Sequence, residues 1–280
     1  MSGGTLIGQC LVRNLGCPYA SREELMALVN THGEIANRVM ASIGKAAKDY
    51  RAFSDLRRPY KILMRLALLE YARRGNLAYF GYSGHLLLPP IVHFIRVRLN
   101  APLHLRIKTT MERLNLSEKE AVDYIERVDE ERTRWARFMY GADIRDPRLY
   151  DVCINLRRLS IHGACELLAA ITRQPEFQAT PESLAHVEDL YLATRVEAAL
   201  VTKEATCDVE VGATAEGGRI VLEGPYLEAR DLERVLAVAR SVEGVEGVEY
   251  KPGYAPSVEY SLEDDQRARP RLPASEGGTP

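Results

Sequence analysis

Apolar and polar residues alternate along this chain with two different periods, and the order in which the periods change predicts a mixed α/β fold. Tyr60 to Ala72 has helical spacing, with Ile62, Leu63, Leu66, Leu68 and Leu69 on one broad apolar face. An apolar run, Leu77 to Phe80, enters a glycine turn at Gly81 to Gly84, and Ile91 to Leu99 then alternates as a strand. Pro102 suits a first helical turn, and Ser117-Glu118-Lys119-Glu120 reads as a capping box opening a second helix. Tyr150 to Leu156 is a short β-rich run behind Pro147, and Ser160 suits the N-cap of a helix over Leu159 to Thr172. Strand, helix and strand alternate as a parallel sheet requires.

The pattern changes after Thr172. Residues 173–183 hold two prolines among polar residues and read as a linker. Beyond it, Leu184 to Val201 has helical spacing at Val187, Leu190, Tyr191, Thr194, Val196 and Leu200, and Cys207 to Val211 alternates. Gly217-Gly218 predicts a hairpin turn into the strand Arg219 to Gly224. A helix over Ala229 to Val242 and a strand over Val245 to Tyr250 complete an αββαβ order. The tail, 253–280, is rich in Pro, Gly, Glu and Arg and reads as disordered.

Composition narrows the function classes. A formal charge of −2 over 280 residues argues against a chain built to coat nucleic acid. No signal-peptide pattern or bilayer-length apolar run occurs, so a cytoplasmic location is expected and membrane contact is not. Five cysteines, Cys10, Cys17, Cys153, Cys165 and Cys207, without CxxC spacing, suggest reduced thiols. His85, His93 and His162 lack metal-ligand spacing, and no metal site is expected.

A long ordered series carries a family resemblance: Leu77 to Gly84, Ile91 to Leu99, Ala101-Pro102-Leu103, Met111 to Ala121, the arginine-rich helix through Arg137, Asp146-Pro147 to Asn155, and Leu159-Ser160-Ile161. In that order these residues resemble the cytidylate-kinase-like family of P-loop phosphotransferases. The resemblance implies a P-loop NTPase-like parallel sheet with helices on both faces over residues 1–172. Its first strand is missing from the sequence, so either the true start lies upstream or the domain is degenerate. Residues 184–252 resemble a BON domain, a small α+β module associated with membranes or partner proteins, through Gly218 to Gly224 and Val242 to Val248. Pro225 stands where that family continues its strand, and the hairpin is expected to end early.

The resemblance also implies the chemistry: transfer of the ATP γ-phosphoryl to a nucleoside monophosphate, CMP by analogy, with Mg2+ accompanying the substrate. Phosphoryl transfer needs backbone N–H groups around donor phosphates and cations over the transferred group. Ser2, Gly3, Gly4 and Thr5 resemble the end of the family's glycine loop. Arg22 falls in a segment that usually reads Tyr-x-Asp-Arg-Glu, with Ser21 in place of the aspartate. Tyr82 replaces an arginine of a Gly-Arg-x-Gly segment. Arg127, Asp129 and Arg132 occupy lid positions implied to be catalytic, and Arg134 is a further nucleotide contact. Charge alternation such as Glu130 to Arg134 equally suits a solvated helix. The competing reading is a catalytically inactive nucleotide sensor or scaffold that recruits a protein partner through its BON-like module.

Overall fold

The computed structural model describes residues 3–30, 33–46, 51–81 and 83–253. Its parallel strands form two pairs. β1 (Tyr19–Ser21) lies beside β2 (Ala78–Phe80), and β3 (Val97–Asn100) beside β4 (Val152–Asn155), each in parallel register. Where one continuous sheet was expected, the described residues hold two separate two-stranded sheets.

Helix α1 (Gly4–Leu15) ties the two together. Ile7 and Leu11 pack with Val97, Leu99, Ile154 and Leu156 of the β3–β4 pair and with Ala164 and Leu168 of α7 (Ile161–Ile171). On its other side α1 meets the first pair through glycine: a β-carbon at Gly8 would come within 2.6 Å of the Tyr19 ring. A disulfide between Cys10 and Cys165 fastens α1 to α7, which corrects the expectation of reduced thiols for these two. They lie 155 residues apart, so no local spacing announced the pair. Cys17, Cys153 and Cys207 are thiols.

The main core gathers around α4 (Arg57–Ala72), whose apolar face is wide enough to bury Ile62, Leu63, Leu66, Leu68 and Leu69. α2 (Arg22–Val29), α3 (Gly33–Ala46) and the C-terminal end of α6 (Glu118–Tyr140) pack on it through Leu25, Val29, Val39 and Met139. α6 pairs with α5 (Leu103–Leu114), and the predicted capping box closes its start: Ser117 Oγ accepts the Glu120 N–H while Glu120 accepts the Ser117 N–H.

The predicted strand Ile91 to Leu99 is only partly realised, since β3 begins at Val97. Ile91 enters the main core, Phe94 N–H turns back onto the Ile91 carbonyl, and buried Arg96 donates to the Pro89 carbonyl, so tertiary contacts take over residues 91–96. Cys207 to Val211 is likewise turn, not strand. Arg58 donates to the carbonyls of Val209 and Val211, at 3.3 and 2.6 Å, which occupies groups a ladder would use.

The C-terminal part runs α8 (Pro181–Thr202), β5 (Gly212–Glu216), β6 (Arg219–Gly224), α9 (Ala229–Arg240) and β7 (Gly247–Pro252). β5 and β6 are antiparallel and β7 is parallel to β6. The hairpin turns at Gly217 and Gly218, with φ of 52° and 86°, the left-handed pair that a two-residue hairpin demands. α8 is buried on two sides. Val187, Leu190, Ala198 and Val201 join the α4 core, while Ala193, Val196 and Leu200 join the core beneath the three-stranded sheet. Between them Arg65 and Glu197 form a buried ion pair at 3.0 Å, and Glu197 also accepts the Ala213 N–H.

Candidate functional site

Gly3, with φ at 77°, adopts a left-handed turn before α1 that an L side chain resists. A β-carbon on Gly3 would lie 2.6 Å from Ile161 Cδ1, and one on Gly4 would overlap the Phe80 ring. Two glycines therefore let the start of α1 sit between the carboxyl end of β2 and the start of α7. No side chain caps this helix and no acidic residue lies in its first turn, whereas α2 and α6 are both closed by capping boxes. Leading N–H groups and the positive end of the helix dipole make such a start a site for phosphate. Thr5 is half-buried in that first turn. Ser2 lies outside the described residues.

At the end of the β3–β4 pair is a cavity of about 390 Å³ lined by Asn100, Ala101, Pro102, His104, Asn155 and Arg157. Asn100 and Asn155 are the last register pair of β3 and β4. Their side chains are held in place, Asn100 accepting from Arg98 Nε at 3.1 Å and Asn155 from the Arg157 N–H at 3.0 Å. Leu156, between Asn155 and Arg157, lies 3.5 Å from where a Gly3 β-carbon would be. The cavity lies at the carboxyl ends of parallel strands, the position where open α/β sheets bind ligands, and the start of α1 packs on Leu156 of the same segment. Sequence reasoning did not select His104, Asn155 or Arg157. The available signal was their position, polar residues within a few positions of the ends of predicted parallel strands.

The cytidylate kinase-like family matches residues 1–158, more than half of the chain. The chain belongs to that family. A cytidylate kinase of Staphylothermus marinus is 35% identical over 101 residues, 35% of this chain and 55% of that protein. One of Ignicoccus hospitalis is 27% identical over 169 residues, 60% of this chain and 91% of that protein. The chain thus spans about half the length of the first relative and most of the second. An uncharacterized protein from Eubacterium ventriosum, whose crystal structure is known, is similar at 18% identity and a TM-score of 0.44, covering 61% of this chain and 91% of that one.

The helix on which the resemblance implies a lid is α6, which pairs with α5. Asp129 receives both arms of the Arg106 guanidinium, at 2.6 and 2.7 Å, so its carboxylate ties α6 to α5. Arg127 pairs with Glu131 and Arg134 with Glu130, both on the exposed side of α6. Arg132 is turned inward, and burial lowers its guanidinium to about 10. The four lid residues therefore divide: Arg127 and Arg134 at the surface, Asp129 and Arg132 toward the helix pair.

Arg22 stands at the start of α2, directly beyond β1. Burial opposes its charge, but the Tyr60 hydroxyl, which accepts a hydrogen bond from it, together with nearby Tyr79 and Glu23, outweighs that penalty and raises its pKa. Burial raises the pKa of Tyr79 and Tyr140, which share this surrounding. Ser21 caps α2, its Oγ accepting the Glu24 N–H at 3.2 Å. Tyr82 lies outside the described residues. Gly3, Gly4 and Thr5 are thus grouped at the α1 start, Arg22 belongs to a tyrosine cluster at the end of the first strand pair, and the lid residues lie on α6. No cluster of three or more His, Cys, Asp or Glu side chains able to hold a metal occurs among the described residues.

Proposed function

We propose that the chain is a phosphotransferase that moves the γ-phosphoryl of ATP to a nucleoside monophosphate, with CMP as the acceptor. The observation that carries this reading is the uncapped glycine start of α1, which packs through Gly3 on Leu156, the residue between two that line the Asn100–Arg157 cavity at the carboxyl strand ends. The donor's phosphates fit the α1 cradle, where backbone N–H groups supply positive potential without side-chain rearrangement. Its nucleoside fits the cavity, with His104 and Arg157 as polar contacts and Ala101 and Pro102 as an apolar wall. Magnesium would travel with the donor phosphates and meet the Thr5 hydroxyl. The acceptor belongs at Arg22, and Arg132 supplies positive charge as the lid closes over the transferred group.

The test is direct. ATP and CMP are incubated with the chain, CDP is quantified by ion-exchange chromatography, and the Arg132→Ala variant is run beside it. Loss of a charge acting on the transferred phosphoryl lowers kcat by roughly 10²- to 10³-fold. Absence of CDP from the unaltered chain would remove the catalytic reading.

A second reading has an observation in its favour. Ser21, which stands where the resembled family has an aspartate, is engaged in capping α2. This suits a kinase-derived nucleotide sensor that recruits a partner through the BON-like unit. That reading predicts nucleotide binding without CDP, and no effect of Arg132→Ala.

A further inference from the structure

Two polar atoms at the carboxyl ends of β1 and β2 are sealed from solvent and have no hydrogen-bond partner among the described residues: Arg22 Nε and the Tyr79 hydroxyl. Gly81 packs against both side chains. A β-carbon there would overlap the Tyr79 hydroxyl and come within 3.2 Å of Arg22 Cβ. The Tyr79 ring also folds over Gly84, where a β-carbon would overlap its edge. Between the two glycines lies Ser83, buried and held at φ 53°, in the left-handed region that a serine adopts only under constraint. Two orphaned polar atoms and a strained serine are each a cost to the folded chain. Such costs persist where something that binds there offsets them.

The chemistry of the pair selects what that is. A guanidinium N–H can only donate. Burial pushes the Tyr79 pKa up, so the phenol keeps its proton and can donate as well. A neutral base edge can satisfy both groups only by donating to the phenol oxygen and offers no charge to the guanidinium, whereas an anionic oxygen accepts from both and the Arg22 charge strengthens the contact.

We propose that Tyr79 acts with Arg22 as a ligand for a nonbridging oxygen of the acceptor's phosphate monoester, so that this site reads the phosphate and not the base. The inference rests on the acceptor-nucleotide reading above and adds to it a residue and a selectivity. Tyr79 becomes an acceptor-binding residue, and the affinity it confers is shared by any 5′-phosphate of similar size.

The experiment uses the full chain, with calorimetric titration of CMP, ribose 5-phosphate and cytidine into the unaltered protein, Tyr79→Phe and Tyr150→Phe, and melting curves of each without ligand. Tyr150 is the comparison because its hydroxyl already donates to the Ile144 carbonyl, at 2.8 Å. Tyr79→Phe is expected to weaken CMP and ribose 5-phosphate alike, by roughly 10- to 100-fold, as loss of a hydrogen bond to a charged group does. It leaves cytidine unaffected and leaves the ligand-free melting temperature equal or higher, because no partner is lost. Tyr150→Phe does the reverse, melting lower with CMP affinity within about twofold of the unaltered chain. The proposal is overturned if Tyr79→Phe binds CMP within twofold of the unaltered chain, if cytidine loses as much as CMP, or if the variant melts several degrees lower. An unaltered chain that binds CMP while Tyr79→Phe binds it equally well removes this inference alone. A folded unaltered chain that binds neither phosphate ligand removes the acceptor-nucleotide reading with it.

Discussion

Breaking the Cys10–Cys165 bond should cost this protein a large part of its stability. The crosslink closes a loop of 155 residues. Loop-closure entropy for that length corresponds to about 5 kcal/mol at room temperature, a substantial share of the 5–15 kcal/mol typical of folded chains. Both side chains are buried, 7% and 0% exposed, so the two thiols remain as small apolar groups after reduction and add little penalty of their own. The perturbation is dithiothreitol on the unaltered chain and, separately, the Cys10→Ala, Cys165→Ala double variant. For a chain this long the urea slope is about 3 kcal/mol per molar, so reduction should move the unfolding midpoint down by about 1.5 to 2 M. The double variant should unfold near the reduced chain and show no response to dithiothreitol. Equal midpoints with and without reductant would refute the reasoning. A double variant that still responded to reductant would place the effect at another cysteine.

Other perturbations act on single buried groups. Glu197→Ala leaves the Arg65 guanidinium and the Ala213 N–H without their acceptor in a site where both ion-pair partners are about 5% exposed, and should cost about 3–5 kcal/mol in urea unfolding. Converting both partners, as Arg65→Met with Glu197→Leu, should recover much of that loss, and a double variant as unstable as the single one would show that the charges matter in another way. Burial, with Arg96 nearby, lowers His85 to about 3, against about 6.5 in the unfolded chain. Between those values the unfolded chain binds a proton that the folded one does not. The stability His85 contributes is therefore intact above pH 6.5 and falls as the pH drops toward 3, by roughly 1 kcal/mol per unit. His85→Gln should flatten the melting temperature between pH 6.5 and 4, and an unchanged slope would assign the acid sensitivity to other groups.

Features set within a few residues were legible in the sequence. The capping box at Ser117, the cap at Ser160 and the Gly217-Gly218 turn each depend on one turn of chain, and the structure forms all three. Misreadings arose where a distant partner decided the outcome. Ile91 to Arg96 has a strand's alternation, yet the core around α4 and the carbonyl of Pro89 claim its side chains. Cys207 to Val211 alternates as well, but Arg58, some 150 residues earlier, binds two of its carbonyls. The site divides along the same line. Gly3 and Gly4 were visible because glycine marks a close approach of backbone. The cavity needs Asn100 and Asn155 side by side, which only the β3–β4 register supplies. Asp129 was read through its place in the lid, while its partner Arg106, on the neighbouring helix, carried no signal of its own.

α4 is where the Arg22–tyrosine cluster and the C-terminal unit meet. Tyr60 faces Arg22 from this helix, and five residues further along Arg65 reaches Glu197 on α8. Arg58, in the first turn of the same helix, holds the carbonyls just before β5. α8 in turn is held on two flanks, one packed on α4 and the other supporting the three-stranded sheet. The bond network therefore runs from the β5 backbone through Glu197 and Arg65 into the helix that positions Tyr60. Five residues of α-helix span about 7.5 Å, a distance over which a helix moves as one piece. A shift of α8 large enough to break the Arg65–Glu197 pair would leave two buried charges unpaired, so smaller displacements carry α4 along with α8. For that reason the C-terminal unit is part of the architecture that sets the Arg22–tyrosine cluster, and under the proposed acceptor role the effect of Glu197→Ala on CMP affinity measures the coupling.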